Sequence, residues 1–237
     1  PPTPDTCFCF IQQRILNVIL CFDSSTRKHI LASVGQIRSI NSNRISLILN
    51  NFNIGSIEQN AFSNVNLNSL EIEQNFIKKL EPGVFDTLTN LNNLVLDLNG
   101  IEILKNRTFL TLNKLTSLRI IYNKIHDIEL DAFAGLASLK RLLLNNNKIR
   151  TIRTGCFDYL HNLERLDLNY NFIRQIDDFL FKNQLKLNTF SINYNELDEI
   201  HKNSFNHLIF LEELRLVENK VTIINESAFK NLETLKK

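Results

Sequence analysis

Apolar residues recur along most of this chain with a period of 24 residues. Each period reads Leu-x-x-Leu-x-Leu-x-x-Asn-x-Ile-x-x-Ile-x-x-x-x-Phe-x-x-Leu, and its first leucine occurs at Leu67, Leu91, Leu115, Leu139, Leu163, Leu187 and Leu211. The ninth residue of these seven units is always asparagine: Asn75, Asn99, Asn123, Asn147, Asn171, Asn195 and Asn219. A 23-residue unit before them keeps the apolar positions but has Phe52 in place of asparagine. The register predicts eight repeats in residues 44–237.

The apolar and polar positions of one unit predict its local structure. The Leu-x-x-Leu-x-Leu stretch predicts a short strand whose leucines point inward, and successive strands are expected to stack into a parallel sheet. The asparagine amide, with two donors and an acceptor, is expected to bond backbone groups of its own and the adjacent coil. The opposite side of the core is expected to be filled by one phenylalanine per unit: Phe62, Phe85, Phe109, Phe133, Phe157, Phe181, Phe205 and Phe229.

This pattern resembles the leucine-rich repeat family in its extracellular 24-residue form, over about residues 44–237. The resemblance implies an α/β solenoid: a curved horseshoe with a parallel β-sheet on its concave face and irregular or short helical segments on its convex face. It also implies a non-enzymatic, protein-binding ectodomain, secreted or on the cell surface, of the kind found in Toll-like, adhesion and guidance receptors.

Residues 1–43 precede the repeats and are interpreted as an N-terminal cap over the open end of the core. Within them, residues 14–21 have strand composition and are expected to pair along the edge of the sheet. Cys7, Cys9 and Cys21 cluster in this cap, which favours an oxidising compartment. Caps of the family usually carry C...C-x-C...C, bonded first to third and second to fourth. The resemblance therefore implies a Cys7–Cys21 disulfide and leaves Cys9 unpaired, unless a further cysteine lies upstream.

Other cysteine chemistry is less favoured. A zinc site at the cap lacks the usual C-x2-4-C spacing and a fourth ligand. The fourth cysteine, Cys156, stands at a repeat position that other units fill with alanine. It is expected to be a small buried filler and to lie too far from the cap for a disulfide.

Composition agrees with an elongated, water-exposed molecule. The 237 residues are 43% hydrophobic and 22% charged, which allows a large core under a polar surface. No segment approaches 18 consecutive apolar residues, so no transmembrane span is expected within residues 1–237. Methionine is absent, so we expect that a signal peptide or an expression leader has been removed. No cysteine cluster follows the last repeat, so residues 44–237 are expected to lack a C-terminal cap; further repeats or a second cap after Lys237, an end of the ordered chain there, or a neighbouring molecule over this edge stay open.

Two acceptor triplets predict N-linked glycans. They begin at Asn106 and Asn225, and both fall on the outer arc of a repeat. They agree with an extracellular location, although such triplets are frequent in an asparagine-rich chain.

A binding site is expected on strand residues that point away from the core, because the repeat leaves their identity free. Apolar and aromatic side chains collect on the central strands, with charged ones at the border. The predicted ligand-binding residues are Val95, Asp97, Leu98, Arg119, Ile121, Tyr122, Arg141, Leu143, Arg165, Asp167, Tyr170 and Tyr194. Such a mixture is typical of a protein-binding patch with a polar rim. The alternative is that neighbouring strands merely pack these side chains against each other.

Nucleic acid is a weaker candidate ligand. Some members of the family bind double-stranded RNA, and a cluster within 14 residues contains Lys140, Arg141, Lys148, Arg150 and Arg153. The net charge is only +2, however, and acidic residues on both sides of the cluster are expected to repel a long phosphate backbone.

Catalysis is not expected. The five histidines are scattered, no Ser-His-acid or Cys-His arrangement recurs, and no glycine-rich phosphate loop is present, so the sequence predicts neither a cofactor nor a metal. The predicted function is binding of another extracellular protein on the concave sheet. Two alternatives stay open: a soluble secreted defence or effector protein that sequesters a foreign or host molecule, and a matrix component whose repeats are a spacer. A homodimer through the concave face or the C-terminal edge is also left open.

Overall fold

The computed structural model describes residues 8–12, 17–22, 45–51, 53–57, 59, 61–63 and 65–237. Their strands are β1 (Phe8–Gln12), β2 (Asn17–Phe22), β3 (Ile45–Ile48), β4 (Ser69–Glu71), β5 (Asn93–Val95), β6 (Ile103–Leu104), β7 (Ser117–Arg119), β8 (Asp127–Ile128), β9 (Arg141–Leu143), β10 (Arg165–Asp167), β11 (Thr189–Ser191), β12 (Glu199–Ile200), β13 (Glu213–Arg215) and β14 (Ile223–Ile224). The main sheet has the order β1-β2-β3-β4-β5-β7-β9-β10-β11-β13.

The repeat sets the register of the main sheet. Leu70 on β4 lies opposite Leu94 on β5, and Leu94 lies opposite Leu118 on β7, so parallel neighbours are 24 residues apart. From β3 to β13 this gives eight strands and about seven turns of a parallel-sheet solenoid, as the pattern predicted. At the other edge, β2 pairs in parallel with β3 and antiparallel with β1. The edge pairing expected for residues 14–21 is therefore confirmed from Asn17 onward.

The segments behind the main sheet are turns and short β pairs. β6 pairs with β8, and β12 pairs with β14, each in parallel with the neighbouring coil. The described part of the chain contains no helix, so the prediction of short helical segments is wrong there and the prediction of irregular segments holds. Five of the eight residues in these pairs are isoleucine, a β-branched residue that favours extended backbone: Ile103, Ile128, Ile200, Ile223 and Ile224.

The core is built from columns that take the same residue type from every coil. The phenylalanine column is buried except at Phe229, and several neighbouring rings stack: the centroids of Phe85 and Phe109 are 6.0 Å apart, and those of Phe157 and Phe181 are 6.2 Å apart. Phe190 takes the place of a leucine on β11. Its ring meets that of Phe181 edge-on at 5.0 Å, so one coil fills the core with a different shape.

The asparagine column bonds backbone groups, as predicted. Nδ2 of Asn147 donates to the carbonyl oxygens of Ile120 at 2.8 Å and Leu144 at 3.0 Å. Its Oδ1 accepts the N–H of Ile125 at 3.1 Å. The same arrangement recurs at Asn99. Each amide thereby satisfies buried donors and acceptors of two coils, which would otherwise cost free energy.

Two small residues fit tightly behind the sheet. Gly135 has φ of 92°, and a β-carbon on it would lie 2.0 Å from the carbonyl oxygen of Leu110, so only glycine fits. Cys156 is fully buried, in agreement with its predicted role as a filler. Burial also raises the pKa of its thiol, which keeps the group in its unreactive protonated form.

Candidate binding surface on the main sheet

The structure brings the predicted binding residues together on neighbouring strands. In the register of the sheet, Val95 lies opposite Arg119, Arg119 opposite Leu143, and Leu143 opposite Asp167. Arg141 lies opposite Arg165 in the same way. The outward positions of β5, β7, β9 and β10 therefore form one continuous surface, which we call the sheet face.

The predicted residues differ in how much surface they offer. Val95 and Asp97 are only 4% and 3% exposed, so they support the sheet face from below and present little of it. Ile121 and Leu143 are half-buried. The most exposed apolar members lie just beyond the strands and are Leu98, Tyr122, Tyr170 and Tyr194, at 42% to 57% exposure.

Most charges on the sheet face are paired. Arg119 donates from Nε to Oδ2 of Asp97 at 3.0 Å. Arg165 lies 4.0 Å from Asp167, whose carboxyl has a raised pKa because it is partly buried. Arg141 is exposed, and its side chain makes no hydrogen bond or ion pair in the described solenoid. Arg141 is therefore the cation of the sheet face that is free to meet a ligand.

Asparagine or aspartate side chains at the seventh position of several repeats bond the next coil, a role that the repeat pattern did not predict. Oδ1 of Asp97 accepts the N–H of Ile121 at 2.8 Å, and Oδ1 of Asn169 accepts the N–H of Asn193 at 2.6 Å. Oδ1 of Asn193 accepts the N–H of Val217 at 2.8 Å. The signal was an asparagine or aspartate at this position in Asn50, Asp97, Asn169 and Asn193, although Asn145 at the same position makes no such bond. These groups hold the coils together, so they are poor candidates for ligand contacts.

The eighth residue of every coil has a left-handed backbone. φ lies between 54° and 64° at Asn51, Gln74, Leu98, Tyr122, Asn146, Tyr170, Tyr194 and Glu218. We call these residues the left-handed row. Asparagine tolerates this conformation well, whereas other side chains pay about 1–2 kcal/mol. Three of the four tyrosines of the chain nevertheless stand in this row.

An aromatic patch forms where the left-handed row meets the flank of the solenoid. The rings of Tyr170 and Tyr194 stack with centroids 4.4 Å apart and an interplanar angle of 6°. Partial burial and the neighbouring Tyr194 raise the pKa of Tyr170. Phe172, two residues beyond Tyr170, is 42% exposed. The sequence reasoning did not include Phe172, because the residue lies outside the strand pattern.

The sequence itself matches one family. The model described as "Leucine rich repeat" matches residues 42–101, 65–125, 89–149, 113–173, 138–186 and 161–221. The chain belongs to the leucine-rich repeat family. No curated protein matches it in sequence.

Solved leucine-rich repeat structures share its fold. TLR13, in the TLR13-ssRNA13 complex, aligns with a TM-score of 0.80 at 24% identity, over 88% of this chain and 30% of that one. A chain of the Toll–Spatzle complex of Drosophila gives 0.75 at 23%, over 81% and 26%. An internalin of Listeria monocytogenes gives 0.60 at 23%, over 81% and 52%. This leucine-rich repeat chain thus spans less than a third of the first two, and the likeness concerns the fold alone.

The described part of this leucine-rich repeat chain shows neither a membrane-spanning helix nor a metal site. It contains no helix with the length and apolarity needed to cross a bilayer. Over the same residues, no group of three or more His, Cys, Asp or Glu side chains is placed to hold a metal ion.

The predicted disulfide falls at the start of the chain. Cys7 lies outside the described residues, so the Cys7–Cys21 bond stays a prediction. The backbone register of the β1–β2 hairpin places Cys9 opposite Cys21.

Both predicted glycan acceptors are exposed behind the sheet. Oδ1 of Asn106 accepts the N–H of Asp131 at 2.8 Å, and Oδ1 of Asn225 accepts the N–H of Ser227 at 3.2 Å. Each Nδ2, the atom that would carry a glycan, makes no hydrogen bond within the described solenoid. Neither glycan would cover the sheet face.

Proposed function

We propose that this chain is a non-enzymatic module that binds another extracellular protein on its sheet face. The observation that carries the proposal is the left-handed row, where Leu98, Tyr122 and Tyr194 expose large side chains from a backbone that disfavours them. Residues in strained conformations cluster at binding and active sites. Tyrosine also suits a binding surface, because its ring is apolar and its hydroxyl is polar.

Packing between neighbouring side chains is the competing explanation for these residues. It accounts for one face of each ring in the Tyr170–Tyr194 stack. It does not account for Tyr122, which is 57% exposed and stacks on no other ring in the described part of the chain. The exposed ring on a left-handed backbone at Tyr122 therefore supports the proposal that this residue contacts a partner.

The choice between protein and nucleic acid rests on charge. TLR13 was solved with ssRNA and Toll with Spatzle, so this fold does not choose between the two ligand classes. Glu71 and Glu73 place carboxylates at one end of the sheet face, and Glu218 lies at the other. The pKa of Glu73 is raised, mainly by partial burial and next by the negative charge of the nearby Asp97. Acidic ends would repel a long phosphate backbone, which supports a protein partner.

The proposed setting is the cell surface or the extracellular space, as part of a receptor or adhesion protein. The likeness in fold to TLR13 and Toll supports a link to innate immunity. A soluble defence protein that sequesters its target is the alternative. Expression in a secreting cell tests the setting: we expect the mass to fall on enzymatic deglycosylation, with Asn106 and Asn225 converted to aspartate. Secreted protein with neither site modified would count against it.

A binding screen tests the function. Multimerised protein is applied to an array of extracellular proteins beside the variant Tyr122→Asn, Tyr170→Asn, Tyr194→Asn. The row already contains Asn146 in the same conformation, so the variant keeps its backbone. The control is Tyr159→Asn, which changes the remaining tyrosine, located behind the sheet.

The screen has four informative outcomes. A partner that is lost in the triple variant and kept by Tyr159→Asn supports the proposal. A partner that both variants keep moves the site away from the sheet face. The absence of any partner favours the spacer interpretation, and self-association of the chain on the array would indicate a homodimer.

A further inference from the structure

The flank beside the left-handed row carries three unpaired cations. Lys124 and Lys148 stand two residues after Tyr122 and Asn146, and Arg150 stands two residues further on. All three side chains are exposed, and in the described solenoid they make no hydrogen bond or ion pair. We call these three residues the basic flank.

Backbone hydrogen bonds place the basic flank on adjacent coils. The N–H groups of Lys124, Lys148 and Phe172 each donate to a carbonyl of the preceding coil, at 2.9, 2.8 and 2.8 Å. The residues between them and the left-handed row are buried asparagines. The flank residues therefore run parallel to the left-handed row, with about 5 Å from one coil to the next.

Several cations elsewhere on this side of the solenoid have an acidic partner, whereas Lys78, three coils before Arg150 at the same repeat position, has none in the described solenoid. Glu196 occupies the same repeat position as Lys148 and accepts hydrogen bonds from Arg174 at 3.1 Å and Lys220 at 3.2 Å. These two bonds lower the pKa of Glu196. Arg153 pairs with Asp127 at 3.1 Å. The three cations of the basic flank differ from these paired cations, because none of them has an acidic side chain as a partner within the described solenoid.

We propose that the partner held at the left-handed row presents acidic side chains to the basic flank, an inference that rests on the protein-binding function proposed above. The exposed rings would receive apolar groups of the partner, while the three cations would meet its carboxylates. The positive stretch is short, because at the position of Arg150 the preceding coils include Glu102 and the following coils include Asp198. A length of roughly 10–15 Å fits a few carboxylates on a protein better than an extended phosphate backbone.

Zero-length carbodiimide crosslinking tests this inference with a defined probe. The probe is a fluorescent peptide of paired glutamates separated by leucine or phenylalanine, and its control has glutamine in place of glutamate. Carbodiimide joins a lysine amine to a carboxylate in direct contact, and mass spectrometry then locates the modified lysine. Exposed lysines elsewhere that are likewise unpaired in the described solenoid serve as internal controls: Lys79, Lys202 and Lys230.

The inference expects crosslinks to concentrate on Lys124 and Lys148. At an ionic strength of about 0.01 M the Debye length is about 30 Å, so charges attract each other over that distance. Under these conditions probe affinity should fall about tenfold in the variant Lys124→Gln, Lys148→Gln, Arg150→Gln. The matched variant Lys79→Gln, Lys202→Gln, Lys230→Gln loses the same charge and should bind the probe unchanged. Crosslinks spread evenly over all five lysines, or equal losses in the two variants, would overturn the inference.

Two further arms separate the possible failures. A fluorescent oligouridylate that binds more tightly than the acidic peptide, and is released by the flank variant, would assign the flank to nucleic acid and overturn the inference. A protein partner from the array that needs the tyrosines but keeps its affinity in the flank variant would also overturn it, while leaving the proposed function intact. If the tyrosine variant and the flank variant both lose that partner, the result would support both the proposed function and this inference.

Discussion

At the scale of single residues, the sequence identified outward positions but not their backbone conformation. The repeat pattern placed Tyr122, Tyr170 and Tyr194 outside the core, and each is exposed. Their left-handed φ arises where the chain turns out of the strand, and it depends on how the coil closes. Asparagine at positions 51 and 146 of the same row was the available signal, because asparagine is the residue that most readily adopts this conformation after glycine.

The strain of the left-handed row predicts opposite effects for two exchanges. Tyr122→Asn should raise the free energy of unfolding by about 1 kcal/mol, because asparagine relieves the left-handed backbone. Asn146→Tyr should lower it by a similar amount. Chemical denaturation of both variants measures the difference, and a loss of stability in Tyr122→Asn would show that the ring stabilises the fold.

The raised pKa of Asp167 predicts a pH-dependent effect. Burial raises the pKa of Asp167 in the folded state, so the charged carboxylate lowers the free energy of unfolding at neutral pH. This loss disappears as the pH falls from the raised pKa of the folded state to the pKa of aspartate in the unfolded chain. Asp167→Asn should therefore raise the melting temperature at pH 7 and have little effect below about pH 3.9. Melting curves of both proteins across this pH range measure the effect. An equal shift of the melting temperature at pH 7 and below about pH 3.9 would contradict the prediction.

At the scale of elements, the strands followed from the repeat while the segments behind them did not. Leucine spacing gave the strands and their register, since a shift by one residue would expose the whole leucine column. The Ile-x-x-Ile spacing is compatible with a helical turn and with extended backbone. Bonds from coil to coil decide it: for example, the Glu129 N–H donates to Leu104 of the preceding coil at 3.0 Å. Such bonds cannot be seen in one repeat alone.

The asparagine column predicts a large loss on replacing a single amide. Asn147→Leu should destabilise by about 3 kcal/mol or more, because it leaves the Ile125 N–H and the Ile120 carbonyl unpaired and removes one of the two amide bonds to the Leu144 carbonyl. Asn145→Leu is the matched control, since the Asn145 side chain makes no hydrogen bond in the described solenoid and lies on the sheet face. Equal losses in the two variants, measured by denaturation, would contradict this account of the column.

At the scale of the whole molecule, the solenoid and its family followed from the sequence, and the partner did not. Seven asparagines in register already predicted a stack of coils, because one coil can bury almost nothing by itself. The partner depends on exposed residues that the repeat leaves free, so no periodicity can predict it. The charge of the sheet face and its flank emerges only when the coils are stacked and their ion pairs are known.

Stacking also predicts that a core change costs more at a fully buried phenylalanine than at a partly buried one. Phe133 is fully buried, and its ring lies 5.9 Å from that of Phe157 at an interplanar angle of 31°, so Phe133→Ala should cost about 3–5 kcal/mol. Phe229 is only partly buried, so Phe229→Ala should cost clearly less. Hydrogen exchange should show protection lost around the altered coil in both variants, and equal costs would contradict a core whose burial varies along the stack.

The most direct test of the central claim measures stability and binding on the same samples. With a partner from the screen in hand, the melting temperature and the dissociation constant are determined for the unmodified chain and for Tyr122→Asn, Tyr170→Asn, Tyr194→Asn. If the strained tyrosines serve binding, the variant melts at a higher or equal temperature and loses affinity at least tenfold, or about 1.4 kcal/mol. A variant that melts lower and keeps its affinity would show that these rings serve the fold and that the partner binds elsewhere.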